Sequence, residues 1–300
     1  MRERYAAVSN TRNLKATLWL LLAAFSLTIQ AQTLPAFEVE PNNTAASATP
    51  LATNPAKVRG YIYHNGDVDV YSFTANAGDR IYAALQTSFN SGNNTDSYLE
   101  ILGTDGTTVL ELDDNDGSLG ASSSTIAGTP IPAAGTYYVR VRHANATTQL
   151  RPYDLYVQVQ SGAPVAETEP NDINTTATAL PASGWVSGER NPVATDVDFY
   201  SISLQAGESV FISMDLDPER DATTWNGRVG MALFGTIPNQ ILVVNDASST
   251  SPNSEAMFMT VKDAGTYYIY VDATSAVGNT YQLSVSKFAA ITGYVNYAST

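Results

Sequence analysis

Two acidic phrases in this chain carry residues with chemistry to offer. EVEPNN sets Glu38, Glu40, Asn42 and Asn43 around one proline, and ETEPND sets Glu167, Glu169, Asn171 and Asp172 around another. Each is followed at the same distance by an Asp-x-Asp pair, Asp67 and Asp69 after the first, Asp196 and Asp198 after the second. Residues two apart in an extended chain point to one side, so each Glu pair converges and each Asp pair converges. Were the fold to bring the pairs together, up to four carboxylates would share a site and repel unless a cation or protons sat among them. Hard oxygen ligands, with no cysteine and no neighbouring histidine pair, suit calcium, which takes about six to eight oxygens from carboxylates, carbonyls and water. Read on their own, the same residues also fit solvated acidic turns in an acidic protein.

The elements that must position them come in two copies. The acidic phrases lie 129 residues apart, and GDVDVYSF recurs as TDVDFYSI at that shift. ANAGDRI recurs as LQAGESV, AAGTYYVRV as DAGTYYIYV at a shift of 130, and YDLYVQV as YQLSVSK at 128. Five blocks in one order define a repeat of about 125 residues, which is domain-sized. Within each copy, alternating stretches such as VDVYSFTA, RIYAALQT, YLEILG, TYYVRVRH and YDLYVQVQ read as strands, separated by the turn signals NAGD, TDGT, DDNDGS and PAAG. In AGTYY the two tyrosines must face opposite sides, one inward. About eight short strands per repeat predict an all-β chain of two tandem antiparallel sandwiches. The expected divisions are residues 36–160 and 165–287, with SGAPVA at 161–166 as linker and 288–300 as a tail or the first strand of a further segment.

Residues 1–31 read as a signal peptide: Arg2, Arg4, Arg12 and Lys15, then fourteen mostly apolar residues, then Ala31 as the cleavage point. The apolar run falls short of the ~20 residues of a membrane span. Removing these four basic residues and the one acidic residue, Glu3, takes the net charge from −14 to −17. That balance argues against nucleic acid and anionic membrane as partners and favours divalent cations. With no cysteine there is no lipidation site and no disulfide framework, so stability rests on the cores or on bound metal.

Catalysis finds little support. The two histidines, His64 and His143, lie in the first repeat only, and no G-x-S-x-G or H-E-x-x-H motif is present. His64 with Asp67 reads as a strand-end surface residue rather than part of a triad. Asp113, Asp114, Asn115 and Asp116 open like a calcium loop but lack the glutamate at its twelfth position, where Ser124 stands, and are expected to form a hairpin turn. Trp185 and Trp225, in the second repeat, could stack on a sugar or peptide; buried sandwich aromatics are the simpler reading.

The ordered set E-x-E-P-N-[ND], G-D-x-D-x-[YF]-S-[FI], AGTYY and Y-x-L-x-V resembles the bacterial pre-peptidase C-terminal domain and the related collagen-binding domains of secreted clostridial collagenases. The resemblance implies a jelly-roll-like sandwich, an accessory role beside an exported peptidase, and calcium held by Glu38, Glu40, Asn42, Asn43 and Asp69, with Asp67 a neighbour. In the second repeat it implies Glu167, Glu169, Asn171, Asp172 and Asp198, with Asp196 a neighbour. One or two ions per module are expected. Two departures stand out. No peptidase sequence lies between the leader and Glu38, and the places where the collagen binders present tyrosines read VRVRHAN and IYVDATS, so collagen is not a supported partner. The expected protein is a secreted, non-catalytic accessory module with an extracellular protein or polysaccharide as partner. The competing readings are an adhesion or glycan-binding protein and a piece of a larger secreted hydrolase.

Overall fold

The computed structural model describes residues 36–88, 90, 94–115, 118–120, 122–190, 196–222, 225–233, 240–245, 254–273 and 279–289. The stretch 1–31 expected to be a signal peptide, most of the stretch 288–300 expected to be a tail, and Asp116 lie outside them. The first repeat forms β1 (Ala36–Phe37), β2 (Thr49–Pro50), β3 (Ala56–Ile62), β4 (Val68–Ala75), β5 (Arg80–Gln86), β6 (Ser97–Leu102), β7 (Val109–Asp113), β8 (Thr125–Pro130), β9 (Gly135–His143) and β10 (Leu150–Gln160). The second forms β11 (Val165–Ala166), β12 (Thr178–Ala179), β13 (Trp185–Glu189), β14 (Asp198–Leu204), β15 (Ser209–Asp215), β16 (Gly227–Leu233), β17 (Gln240–Asn245), β18 (Ser254–Thr260), β19 (Gly265–Ala273) and β20 (Thr280–Phe288). The sheets are β1-β3-β10-β5-β8 facing β2-β4-β9-β6-β7, and β11-β13-β20-β15-β18 facing β12-β14-β19-β16-β17, the same order twice.

Without its first two strands each repeat is an eight-stranded jelly roll of two four-stranded antiparallel sheets. The two extra strands raise the expected eight to ten, and they pair parallel, not antiparallel: β1 runs with β3, β2 with β4, β11 with β13 and β12 with β14. The sequence pattern hides them because each is two residues long, too short to show an alternation. The DDND stretch is also corrected. It does not close a hairpin; it carries the chain from β7 in one sheet to β8 in the other, and the Asp113 carboxylate accepts the Thr125 N–H (2.8 Å) across that crossing.

Each sandwich encloses its own apolar core. One is built around Ile62, Ile81, Leu85, Leu99, Ile101, Val139 and Leu155, the other around Val186, Ile212, Met214, Ile269 and Leu283. Burying each such side chain is worth about 1.5–3 kcal/mol. In AGTYY, Tyr137 and Tyr267 turn inward and Tyr138 and Tyr268 are half-buried, as the alternation requires. The turns match between copies as well. Gly78 and Gly207 sit at φ +89° and +82°, where a side chain would be strained, and the following Asp79 and Glu208 carboxylates accept the N–H of Asn76 and Gln205 (both 2.7 Å).

The two sandwiches pack on each other through the outer faces of the β5 and β15 sheets. Tyr82, Ala84, Leu119, Ala127, Tyr156, Trp185, Phe211 and Ala256 form a third buried cluster there. Tyr156 stacks on Phe258 (4.4 Å) and Phe211 (5.4 Å), and Trp185 Nε1 donates to Tyr82 Oη (3.0 Å). This second covered face explains why RIYAALQ and SVFISMD are buried at nearly every position. At the rim, Arg220 from the second repeat donates to Ala127 O (2.7 Å) and pairs with Asp215 (2.7 Å) and with Glu111 (3.7 Å) of the first. Burial still outweighs the arginine: it raises the Glu111 carboxyl to about 7 and the Asp215 carboxyl to about 6. Contacts recur in symmetric fashion: Ser286 Oγ donates to Gln158 Oε1 (2.7 Å), joining a residue to its own counterpart in the other repeat, and Ser254 Oγ donates to Thr125 O (3.1 Å) between the matching edge strands β18 and β8. Residues 32–300 accordingly form one compact unit.

Truncating the interface should therefore behave as a core mutation. Phe211→Ala is expected to cost about 3–5 kcal/mol, read as a lower midpoint in urea denaturation. A change below about 0.5 kcal/mol would mean that the two sandwiches do not stabilise each other there.

Candidate metal centre

The acidic phrase laces the two sheets of its sandwich together. In the first repeat the chain leaves β1 on one sheet, crosses the open edge as Glu38–Asn43, and reaches β2 on the other. Main-chain bonds hold the crossing at both ends: Glu38 N–H to Arg59 O (3.2 Å), and Val70 N–H to Asn42 O (2.9 Å). Thr49 Oγ1 accepts the Val39 N–H (3.1 Å) midway. The second repeat repeats this with Glu167 N–H to Ser187 O (2.9 Å), Phe199 N–H to Asn171 O (3.0 Å) and Thr178 Oγ1 on Thr168 N–H (3.4 Å).

This crossing brings the Glu pair beside the Asp-x-Asp strand. Carboxylate oxygens of Glu38, Glu40 and Asp69 lie within 4.8 Å of one another, as do those of Glu167, Glu169 and Asp198. The two copies differ next door. Glu169, Asp172 and Asp196 form an adjoining group in the second repeat, again within 4.8 Å. In the first, Asn43 stands where Asp172 does and its Nδ2 donates to Asp67 Oδ1 (2.8 Å); the same carboxylate accepts Val68 N–H (3.0 Å) and Tyr63 N–H (3.1 Å). Asp67 is thus a satisfied structural acceptor outside the three-carboxylate group, while Asp196 joins one. Asn42 and Asn171 are fully buried, each with its N–H on the carboxylate of Glu40 or Glu169 (3.0 Å).

Two buried tyrosines complete each site. Tyr71 and Tyr153 hydroxyls meet at 2.5 Å, Tyr153 donates to Asp69 Oδ2, and Tyr71 donates to Glu38 Oε2 (3.4 Å). In the second repeat Tyr200 and Tyr281 meet at 2.5 Å, Tyr281 donates to Asp198 Oδ2 (2.6 Å), and Tyr200 to Glu167 Oε2 (2.8 Å). Glu38 also accepts Tyr61 N–H on both oxygens (2.9 and 3.0 Å), as Glu167 accepts Glu189 N–H (2.6 Å). At Asp69 and Asp198 the tyrosine donor lowers the carboxyl pKa, but burial and the neighbouring glutamate win. Asp69 is pushed up to about 9 and Asp198 to about 8, burial first and the charge of Glu38 or Glu167 second, and burial raises Glu38 as well. The tyrosines were not among the residues assigned from sequence, although Tyr71/Tyr200 and Tyr153/Tyr281 recur at the repeat shift; their signal was an apolar strand position that always carried a hydroxyl.

One atom pair tests whether a cation fits. In both repeats the asparagine amide oxygen and one aspartate oxygen, Asn42 Oδ1 with Asp69 Oδ1 and Asn171 Oδ1 with Asp198 Oδ1, are buried and lack a hydrogen-bond donor. A buried acceptor without a donor costs about 1–3 kcal/mol, more for a charged one. Hard oxygens left in this way, at the same positions twice, fit an oxygen-liganded divalent cation. Of the other sequence candidates, His64 lies at the surface, 4.7 Å from the ring of Tyr63, and His143 is buried with Nδ1 on Asn145 N–H (2.8 Å). Trp185 and Trp225 are 2% and 4% exposed and cannot stack on a ligand.

The glycine two residues before Arg190, and its counterpart Gly60, make room for the tyrosines. A Cβ on Gly60 would overlap the Tyr153 hydroxyl and approach Glu38 Oε2 at 2.5 Å, and one on Gly188 would overlap the Tyr281 hydroxyl. Gly188→Ala is expected to destabilise by about 1–3 kcal/mol in a denaturant titration. Gly103→Ala, whose Cβ meets neighbours at no less than 3.6 Å, serves as control and should cost less; equal effects would show that the tyrosine pair does not need the space.

Comparison with known proteins places part of this architecture. Residues 67–143 match the family model of the bacterial pre-peptidase C-terminal domain. A probable subtilase-type serine protease of Deinococcus radiodurans is 32% identical over 112 residues, 37% of this chain and 15% of its own length. Among solved structures, the pre-peptidase C-terminal domain of a Bacillus anthracis collagenase aligns at 17% identity over 37% of this chain and 94% of its own, with a TM-score of 0.27. PliG of Aeromonas hydrophila, a periplasmic inhibitor of g-type lysozyme, aligns at 19% identity over 38% and 96%, with a TM-score of 0.28. The matched stretch begins at Asp67 and runs from β4 to the end of β9, so it holds Asp69 and the AGTYY turn. Over residues 67–143, then, this chain is similar to the bacterial pre-peptidase C-terminal domain.

Proposed function

We propose that the chain is an exported, non-catalytic accessory protein whose two sandwiches are each fastened by calcium at the crossing of the acidic phrase. The observation that carries this is the pair of donorless buried oxygens, repeated in both copies beside three clustered carboxylates. Glu38, Glu40, Asp69 and the Asn42 amide would hold one ion; Glu167, Glu169, Asp198 and Asn171 would hold another. Asp172 and Asp196, with Glu169, offer a second position in the second repeat, so that repeat would take two. Calcium supplies positive charge among oxygens that otherwise need protons, and the chain's own residues do the rest: they bind, and they tie one sheet to the other.

The accessory role is supported by the matched domain type and by the protease relative. A leader at residues 1–31 and export go with that reading. No helix among the described residues is long and apolar enough to cross a membrane. At about one hundred times its dissociation constant, calcium would add roughly 2.7 kcal/mol per site, a large share of the ~5–15 kcal/mol that holds a typical domain.

Protons and calcium compete for the same oxygens, which fixes the sign of the pH dependence. Asp69 and Asp198 have folded-state values raised from the ordinary 3.8 to about 9 and about 8. Their contribution to stability is therefore full below about pH 4 and is lost as pH rises toward 8–9. Calorimetry in chelator should show the melting temperature falling across that window from these groups, and calcium should restore it, by an increment that grows with pH. Asp198→Asn should shrink the increment of the second repeat. An increment of zero at pH 8 would remove calcium from the account.

A further inference from the structure

Beside the first acidic crossing lies a surface whose aromatic residues the second repeat's sequence does not keep. Tyr61 and Tyr63 are 38% and 51% exposed, and with Arg151, Glu38 and Glu40 they line an open cleft of about 410 Å³. The backbone under both tyrosines is pinned, Tyr61 N–H on Glu38 and Tyr63 N–H on Asp67. The ring of Tyr63 packs against the Arg151 guanidinium at 4.7 Å and the His64 ring at 4.7 Å. Phe37, on the adjoining strand, is exposed as well. The fold does not require these residues. With Gly60 and Gly188 equivalent, Tyr61 and Tyr63 correspond to Glu189 and Asn191, and Arg151 corresponds to Asn279. The second repeat therefore builds the same sandwich and the same carboxylate cluster with no aromatic residue at these positions.

We propose that Tyr61, Tyr63 and Arg151 form a binding site for a neutral polysaccharide, present in the first repeat alone. A tyrosine face accepts the C–H face of a sugar ring while its hydroxyl stays wet. Arg151 offers donors and Glu40 an acceptor to the ring's equatorial hydroxyls, the mixture of flat apolar wall and few polar groups that fixes a small ligand. Charge chooses among polysaccharides: two carboxylates line the cleft against one arginine, in a chain of net charge −14, so an anionic polymer would be repelled. The side chains that make this surface are separate from those that would hold calcium, apart from Glu38 and Glu40.

The test uses the full chain and its Tyr63→Ala and Arg151→Ala variants in depletion assays on insoluble cellulose and chitin, and in affinity electrophoresis through gels containing soluble β-glucan or mannan. At least one of these should retain the unaltered chain, and each variant should bind it about tenfold or more weakly. Calorimetry with and without calcium accompanies each variant. An unchanged calcium increment shows that the variant folds, and it separates failure of this site from failure of the metal assignment. Retention by none of the four polymers overturns the proposal, as does binding that survives Tyr63→Ala, or capture by alginate or gelatin in preference to the neutral polymers.

Discussion

Carboxylates that share a dry site cannot all ionise unless something positive sits among them. Each repeat accepts that constraint at one place, where the chain crosses between sheets, and much of the sandwich is arranged around it. The glycine of β3 or β13 is empty so that two tyrosine hydroxyls can reach the aspartate. The threonine of β2 or β12 is turned to clasp the crossing. The parallel two-residue strands exist because the crossing must be moored on both sheets. Hydrogen bonds alone do not resolve the charge, since four oxygens over the two copies remain buried and donorless.

Much of this was legible in the sequence, for reasons that differ by element. The jelly-roll strands announce themselves through alternation, and the repeat through five ordered blocks. The acidic phrase and the Asp-x-Asp pair could be linked because they recur at one spacing. What the sequence could not reveal was which carboxylates meet. Asn43 and Asp172 differ by one atom type, yet the first closes a hydrogen bond on Asp67 while the second joins a carboxylate group with Asp196. The crossover at Asp113–Thr125 was misread as a hairpin because its turn residues suit either connection, and nothing local states which sheet the next strand will join. The tryptophans were ambiguous until their burial was seen.

The outer faces of β5, β10, β15 and β20 were also opaque. An apolar residue on the second face of a strand is an oddity in a lone sandwich and a necessity in a packed pair. Tyr82 and Phe211 occupy equivalent positions and both are buried in the shared cluster, with Tyr156 from β10 stacked on Phe211.

That packing has the form of a self-complementary contact: a residue meets its own counterpart, as Gln158 meets Ser286, and Tyr156–Phe288 mirrors Gln160–Ser284. Such reciprocity is the hallmark of two identical subunits related by a two-fold axis. The chain has the form of a fused dimer whose halves differ, one with a second acidic group and the other with an aromatic cleft. A single repeat cut free at the linker would carry half of that contact as an exposed apolar face, and the partner best shaped to cover it would be another copy of itself.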